Sequence, residues 1–217
     1  MGRTKLKRFD YNQIANNVVQ VKEGDIEGIA GKWNEVMFEK KQPIVLEIGC
    51  GFGDYTIGVA TQFPDRNCIG VDVKGSRLFK GAKHAIDNGF KNVAFLRTHI
   101  HEIEKCFALG EVDEFWITFP DPRPRDRDIR RRLVFPRYLQ LYRNISRVGA
   151  VVNLKTDSHG FYLYALEVCK ENNLQIIAST DDLYQSDLLP MCLGIQTEYE
   201  KRYLEEGIKI NYLKFLL

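Results

Sequence analysis

A short apolar run, Ile44-Val45-Leu46-Glu47-Ile48, stops at Gly49-Cys50-Gly51-Phe52-Gly53, and a helical pattern starts directly behind it. Strand, glycine turn and helix in that order constrain the chain more than any other passage. Glycines let the backbone approach a ligand closely, and in open α/β sheets ligands bind beyond the carboxyl ends of such strands. A dinucleotide fingerprint would need glycine at the sixth position, where this chain has Asp54. A second strand then closes on Asp72, nineteen residues after Gly53, where a carboxylate can accept both hydroxyls of a ribose.

The alternation continues along the chain. Beta-branched runs at 44–48, 68–73, 93–96, 114–118 and 150–155 are separated by helical patterns at 55–62, 77–88, 134–146 and 160–171. This predicts an α/β, doubly wound, Rossmann-like fold with a mostly parallel sheet covered on both faces. Residues 174–179 supply a sixth strand. Residues 208–216, reached through 197–206, supply a seventh expected at the sheet edge. Before the first strand, 25–39 carries Ile26, Ile29, Ala30, Trp33, Val36 and Met37 at helical spacing. With 217 residues, 44% of them apolar, and no repeat or Gly/Pro/Ser-rich linker, a single domain is expected over 24–217. It follows a basic N-terminal tail, 1–23, free either to touch phosphate or to be disordered.

Net charge is only +2, so a polyanionic partner must be met by a local patch. Arg3, Lys5, Lys7 and Arg8 form one such patch, and six arginines between 121 and 132 form another. Five cysteines without a C-x-x-C pair disfavour disulfides and a zinc site, and His99-x-His101 lacks a third ligand, so no metal is expected. No signal peptide, myristoylation site or membrane span is recognisable, which predicts a cytoplasmic protein.

The spacing Glu47-x-Gly49-x-Gly51-x-Gly53 resembles the first motif of S-adenosylmethionine-dependent methyltransferases. In that reading the three glycines and Asp72 hold the cofactor. Glu47 meets its cationic methionine end, and Thr98 or His99, after the third strand, meets the adenine. After the fourth strand comes Thr118-Phe119-Pro120-Asp121-Pro122-Arg123-Pro124-Arg125, then Arg127 and Arg130-Arg131-Arg132. Three prolines in five residues stiffen the turn that presents Asp121, and guanidinium forks suit phosphate oxygens. Internal Asp–Arg pairs on a solvated helix start would explain the same charges.

That loop resembles the signature of the bacterial tRNA (guanine-N7)-methyltransferase family. Lys155-Thr156-Asp157 and Thr197-Glu198-Tyr199-Glu200-Lys201-Arg202 agree with it in the family's order. The resemblance implies Asp121 as the catalytic and a cofactor-contacting aspartate, cofactor contacts at Glu47 and Asp72, and His99 at the adenine position. It implies tRNA contacts at Arg125, Asp157, Thr197, Glu198, Tyr199 and Glu200, and guanine 46 of the variable loop as substrate. Arg123 stands where the family commonly has tryptophan, Arg125 where it has lysine, and His99 where it has a carboxylate or amide.

Attack by guanine N7 needs no proton removed, so near-attack positioning and stabilisation of the cationic purine are the chemical requirements. Two other functions use the same features: methyl transfer to another RNA or a small molecule, and RNA binding without catalysis. Oligomeric state, monomer or homodimer, leaves no mark in the sequence.

Overall fold

The computed structural model describes residues 3–20 and 28–217. The strands are β1 (Val18–Gln20), β2 (Ile44–Ile48), β3 (Asn67–Asp72), β4 (Val93–Arg97), β5 (Val112–Thr118), β6 (Ser146–Thr156), β7 (Ile176–Thr180) and β8 (Asn211–Leu216). They form one sheet in the order β1-β4-β3-β2-β5-β6-β8-β7. All pairs are parallel except those made by β8, which runs antiparallel to both neighbours. The helices are α1 (Arg3–Ile14), α2 (Trp33–Val36), α3 (Asp54–Gln62), α4 (Gly75–Asp87), α5 (Ile103–Cys106), α6 (Pro136–Ile145), α7 (His159–Glu171) and α8 (Glu198–Glu205).

β2 is buried along its whole length because apolar layers cover both faces of the sheet. Ile44, Leu46 and Ile48 join the core that includes Leu139 and Tyr142 of α6 and Phe161 of α7. Val45 joins the other core with Tyr55 and Val59 of α3 and Leu78 of α4. The period of two therefore aims Glu47 at α3. All five cysteines are buried and unpaired.

The sheet has eight strands, one more than expected, and the difference lies at the N-terminus. Instead of a free basic tail, residues 3–20 form α1 and β1, with β1 covering the edge of β4. Polar anchors hold this segment. Asn12 Nδ2 donates to Gly75 O at 2.7 Å, Asn17 Nδ2 to Ala82 O at 3.0 Å, and Tyr11 meets Phe79 edge-on. The boundary expected at residue 24 lies outside the described residues.

The helix expected at 25–39 reduces, within the described part, to the single turn α2. Gly31 takes φ +79°, and the Glu111 carboxylate accepts from the N–H groups of Gly31, Trp33 and Ala108, which fixes an irregular loop. Trp33 supplies its apolar drive by stacking on Phe107 and donating to Cys106 O. The last strand is not at the edge. Tyr212, Leu213 and Phe215 are buried, so β8 needs neighbours on both sides and inserts between β6 and β7.

Candidate active site

The strand order reverses around β2, and the glycine turn leaves the sheet there. Gly49, Gly51 and Gly53 have φ of +75°, +56° and +79°, the left-handed region that glycine enters without strain. Gly53 also lets the turn sit against its neighbours, since a Cβ there would lie 2.6 Å from the Phe95 ring. Gly51 faces open space, a cradle free for a ligand. Asp72 closes the turn: one carboxylate oxygen accepts from Gly51 N at 2.9 Å and the other from Lys74 N at 2.7 Å.

Two cavities meet at Gly49. The first, about 370 Å³, is lined by Asp72, Thr98, His99, Tyr138, Arg123, Arg131 and Arg137 among others. The second, about 320 Å³, is lined by Gly51, Phe52, Asp121, Asp157, Thr197 and Tyr199 among others. Sequence positions far apart, at 49–54, 72–74, 118–123, 157 and 197–203, thus converge on one edge of the sheet.

Asp121 is largely exposed, and its turn is stiff. Phe119 and Arg123, both non-glycine, have φ of +49° and +47°. Its carboxylate accepts from Arg123 N at 3.2 Å and faces the Arg123 guanidinium at 3.2 Å. The arginine that stands in place of tryptophan is thus the aspartate's partner, in an exposed pair that an incoming group displaces at little cost. Asp157, which lines the same cavity as Asp121, is half-buried, and burial raises its pKa above the ordinary carboxylate value.

Two of the expected contact residues, Glu47 and Glu200, act inside the protein. Glu47 is buried and lines neither of the two cavities. It accepts from Thr56 N at 2.8 Å, from Thr56 Oγ1 at 2.5 Å and from Thr118 Oγ1 at 2.8 Å, joining β2 to α3 and to the end of β5. Burial outweighs these donors and pushes its pKa up from 4.5 to about 7. Glu200 is fully buried; its carboxylate meets Lys155 Nζ at 2.6 Å and accepts from Tyr184 Oη at 2.9 Å. With Thr197 it also forms a capping box at the start of α8. Lys155 and Glu200, from two motifs read as separate RNA contacts, are therefore each other's partners. They fix the start of α8, whose Thr197 and Tyr199 line the same cavity as Asp157. Glu198 is exposed on α8 and held by Lys201.

In the arginine run, a 3₁₀ turn at Asp126–Arg131, the buried Asp128 carboxylate pairs with Arg125 and Arg131 at 2.9 and 3.2 Å. Arg132 donates to Arg123 O and stacks on Tyr164. Arg127 and Arg130 stay exposed. Lys74 and Arg77, which the sequence reading passed over, line the second cavity. Their only signal is their place just after Asp72.

A family model described as "Putative methyltransferase" matches residues 41–213. A tRNA (guanine-N(7)-)-methyltransferase of Cytophaga hutchinsonii is 44% identical over 99% of this chain and 98% of its own. The protein of that name from Bacteroides fragilis is 41% identical over 100% and 87%. The chain belongs to the tRNA (guanine-N7)-methyltransferase family. Among solved structures, the 16S rRNA methyltransferase KamB superposes with a TM-score of 0.65 at 18% identity, covering 88% of this chain and 95% of its own. A Haemonchus contortus phosphoethanolamine N-methyltransferase in complex with S-adenosyl-L-methionine gives 0.52 at 15% identity, over 98% of this chain and 57% of its own. At these identities the likeness is one of fold, the Rossmann-like methyltransferase sheet. Among the described residues no helix is long and apolar enough to cross a membrane.

Proposed function

We propose that this protein methylates N7 of a guanine in tRNA, the variable-loop guanine 46, in the cytoplasm, with S-adenosylmethionine as methyl donor and as a monomer or homodimer. The observation that carries this reading is the pair of cavities joined at Gly49: Asp72 stands in one, Asp121 and Asp157 in the other. Bound S-adenosylmethionine supplies an electrophilic methyl group on a sulfonium. The left-handed glycine turn and the open space at Gly51 fit such a group, and Asp72, already fixed by two backbone N–H groups, retains lone pairs for ribose hydroxyls.

Guanine has donors at N1 and N2, and Asp157 offers an acceptor on the cavity wall. Phe52, Phe119, Tyr199 and Tyr203 provide stacking surface. Asp121, just beyond β5, would face the positive charge that grows on the purine as the N7–methyl bond forms and the methyl–sulfur bond breaks, its electron pair leaving with a neutral thioether. Because N7 enters with a free lone pair, no side chain has to remove a proton. The prolines at 120 and 122 keep the carboxylate in place before attack, so little reorganisation is required during it.

The test is methylation of an unmodified tRNA transcript with labelled cofactor, followed by nucleoside analysis. N7-methylguanosine is expected, and it should vanish when guanine 46 is replaced by adenine. Asp121→Asn keeps the shape and removes the charge, with an expected loss of about 10²–10³ in single-turnover rate. Label in any other nucleoside, or an unimpaired Asn variant, refutes the corresponding part of the reading.

A further inference from the structure

α4 buries Leu78, Ala82 and Ala85 against the sheet and leaves Lys74, at its N-cap, together with Arg77 and Lys80 along one side. Lys74 and Arg77 line the cavity that holds Asp121 and Asp157. Lys80 continues the row: its Nζ lies 4.8 Å from the centre of the Phe52 ring, beside the glycine turn. Among the described residues, none of these three cations has a carboxylate within 4.0 Å, whereas Lys83, on the neighbouring strip of the helix, is held by Asp87. The nearby acids are already committed. Asp72 accepts from Gly51 N and Lys74 N, Asp54 from Glu198 N, and Glu198 from the Lys201 ammonium.

After Lys201, Lys80 helps to lower the pKa of Glu198, yet among the described residues the row forms no ion pair of its own and continues into a cavity, unlike an ordinary solvated helix face where opposite charges pair. The row spans about 9 Å along the helix axis. The cations lining that cavity are Lys74 and Arg77, and further along the chain from the Asp121 turn Arg127 and Arg130 are exposed. A nucleotide that inserts its base into the cavity brings a flanking phosphate toward the row of cations.

We infer that Lys74, Arg77 and Lys80 form a phosphate-binding ridge for the RNA strand on one flank of the inserted base. This rests on the RNA-methylation reading above. The ridge acts by charge, so it strengthens binding without selecting a sequence.

The experiment measures tRNA affinity of the full chain against salt concentration for wild type, Lys80→Ala, Arg77→Ala/Lys80→Ala and Lys83→Ala. Each lost phosphate contact reduces the slope of log K against log salt by about 0.7–0.9. A stepwise decrease along the ridge is expected, with Lys83→Ala matching wild type and all variants keeping the wild-type melting midpoint. Unchanged slopes in ridge variants of a protein that still forms N7-methylguanosine overturn the ridge alone. So does an equal decrease in Lys83→Ala, which would signal bulk charge. A wild-type protein that neither binds nor methylates tRNA overturns both the ridge and the reading beneath it.

Discussion

Glu47→Gln isolates the cost of holding a carboxylate under the glycine turn. The side chain is buried, and its pKa rises from 4.5 to about 7, chiefly because burial disfavours the charged form. The folded state therefore binds the proton more tightly than the unfolded chain. Its stabilising contribution is fully present below pH 4.5 and disappears as pH rises through 7. A difference of about 2.5 units at 1.36 kcal/mol each makes that contribution about 3 kcal/mol. Glutamine has the same shape, cannot ionise, and keeps partners for Thr56 and Thr118. Urea unfolding of both proteins from pH 4.5 to 8 gives the difference in stability directly. Wild type should lose about 3 kcal/mol relative to Glu47→Gln across that range, most of it before pH 7. A flat difference would show that Glu47 does not titrate there. A difference of opposite sign would mean that the three donors dominate and keep it ionised, refuting the burial argument.

Asp72→Ala removes the acceptor of two backbone N–H bonds along with the ribose acceptor, and should weaken S-adenosylmethionine binding about 10–100-fold by calorimetry, with tRNA affinity little changed. Lys155→Met leaves Glu200 buried without its cation and should cost about 3–5 kcal/mol in urea unfolding. Lys155→Met/Glu200→Gln removes the stranded charge while keeping the cap, so it should be more stable than the single variant; equal stability would deny the pairing. Gly53→Ala forces a side chain into the left-handed region and against Phe95, and a loss of about 2–4 kcal/mol is expected in the same assay.

What the sequence disclosed was what neighbouring residues decide among themselves. The β2 run, the glycine turn and Asp72 are legible because strand period, glycine and strand length act locally. The proline-stiffened turn at Asp121 is legible for the same reason. The position of β8 depends on which strands have a free edge, a property of the assembled sheet that no window of residues contains. β1 is three residues long and offers no period to read. Glu200 carried a usable signal, since Thr197-x-x-Glu200 is a capping-box spacing and points to a helix start as readily as to a substrate contact. Its ion pair with Lys155 spans 45 residues and becomes visible only once β6 and α8 are side by side.

The five buried cysteines make the chain its own gauge of local opening. Burial pushes the pKa of each thiol upward, and a thiol reacts as thiolate, so a modifying reagent must wait for the segment around it to part. The reporters are spread usefully: Cys50 in the glycine turn, Cys68 in β3, Cys106 in α5, Cys169 in α7 and Cys192 ahead of α8. Labelling rates resolved by peptide mass would rank the opening of these regions without any introduced probe. Protection gained by Cys50 alone when a small molecule is added would separate a ligand that closes the turn from one that tightens the whole sheet.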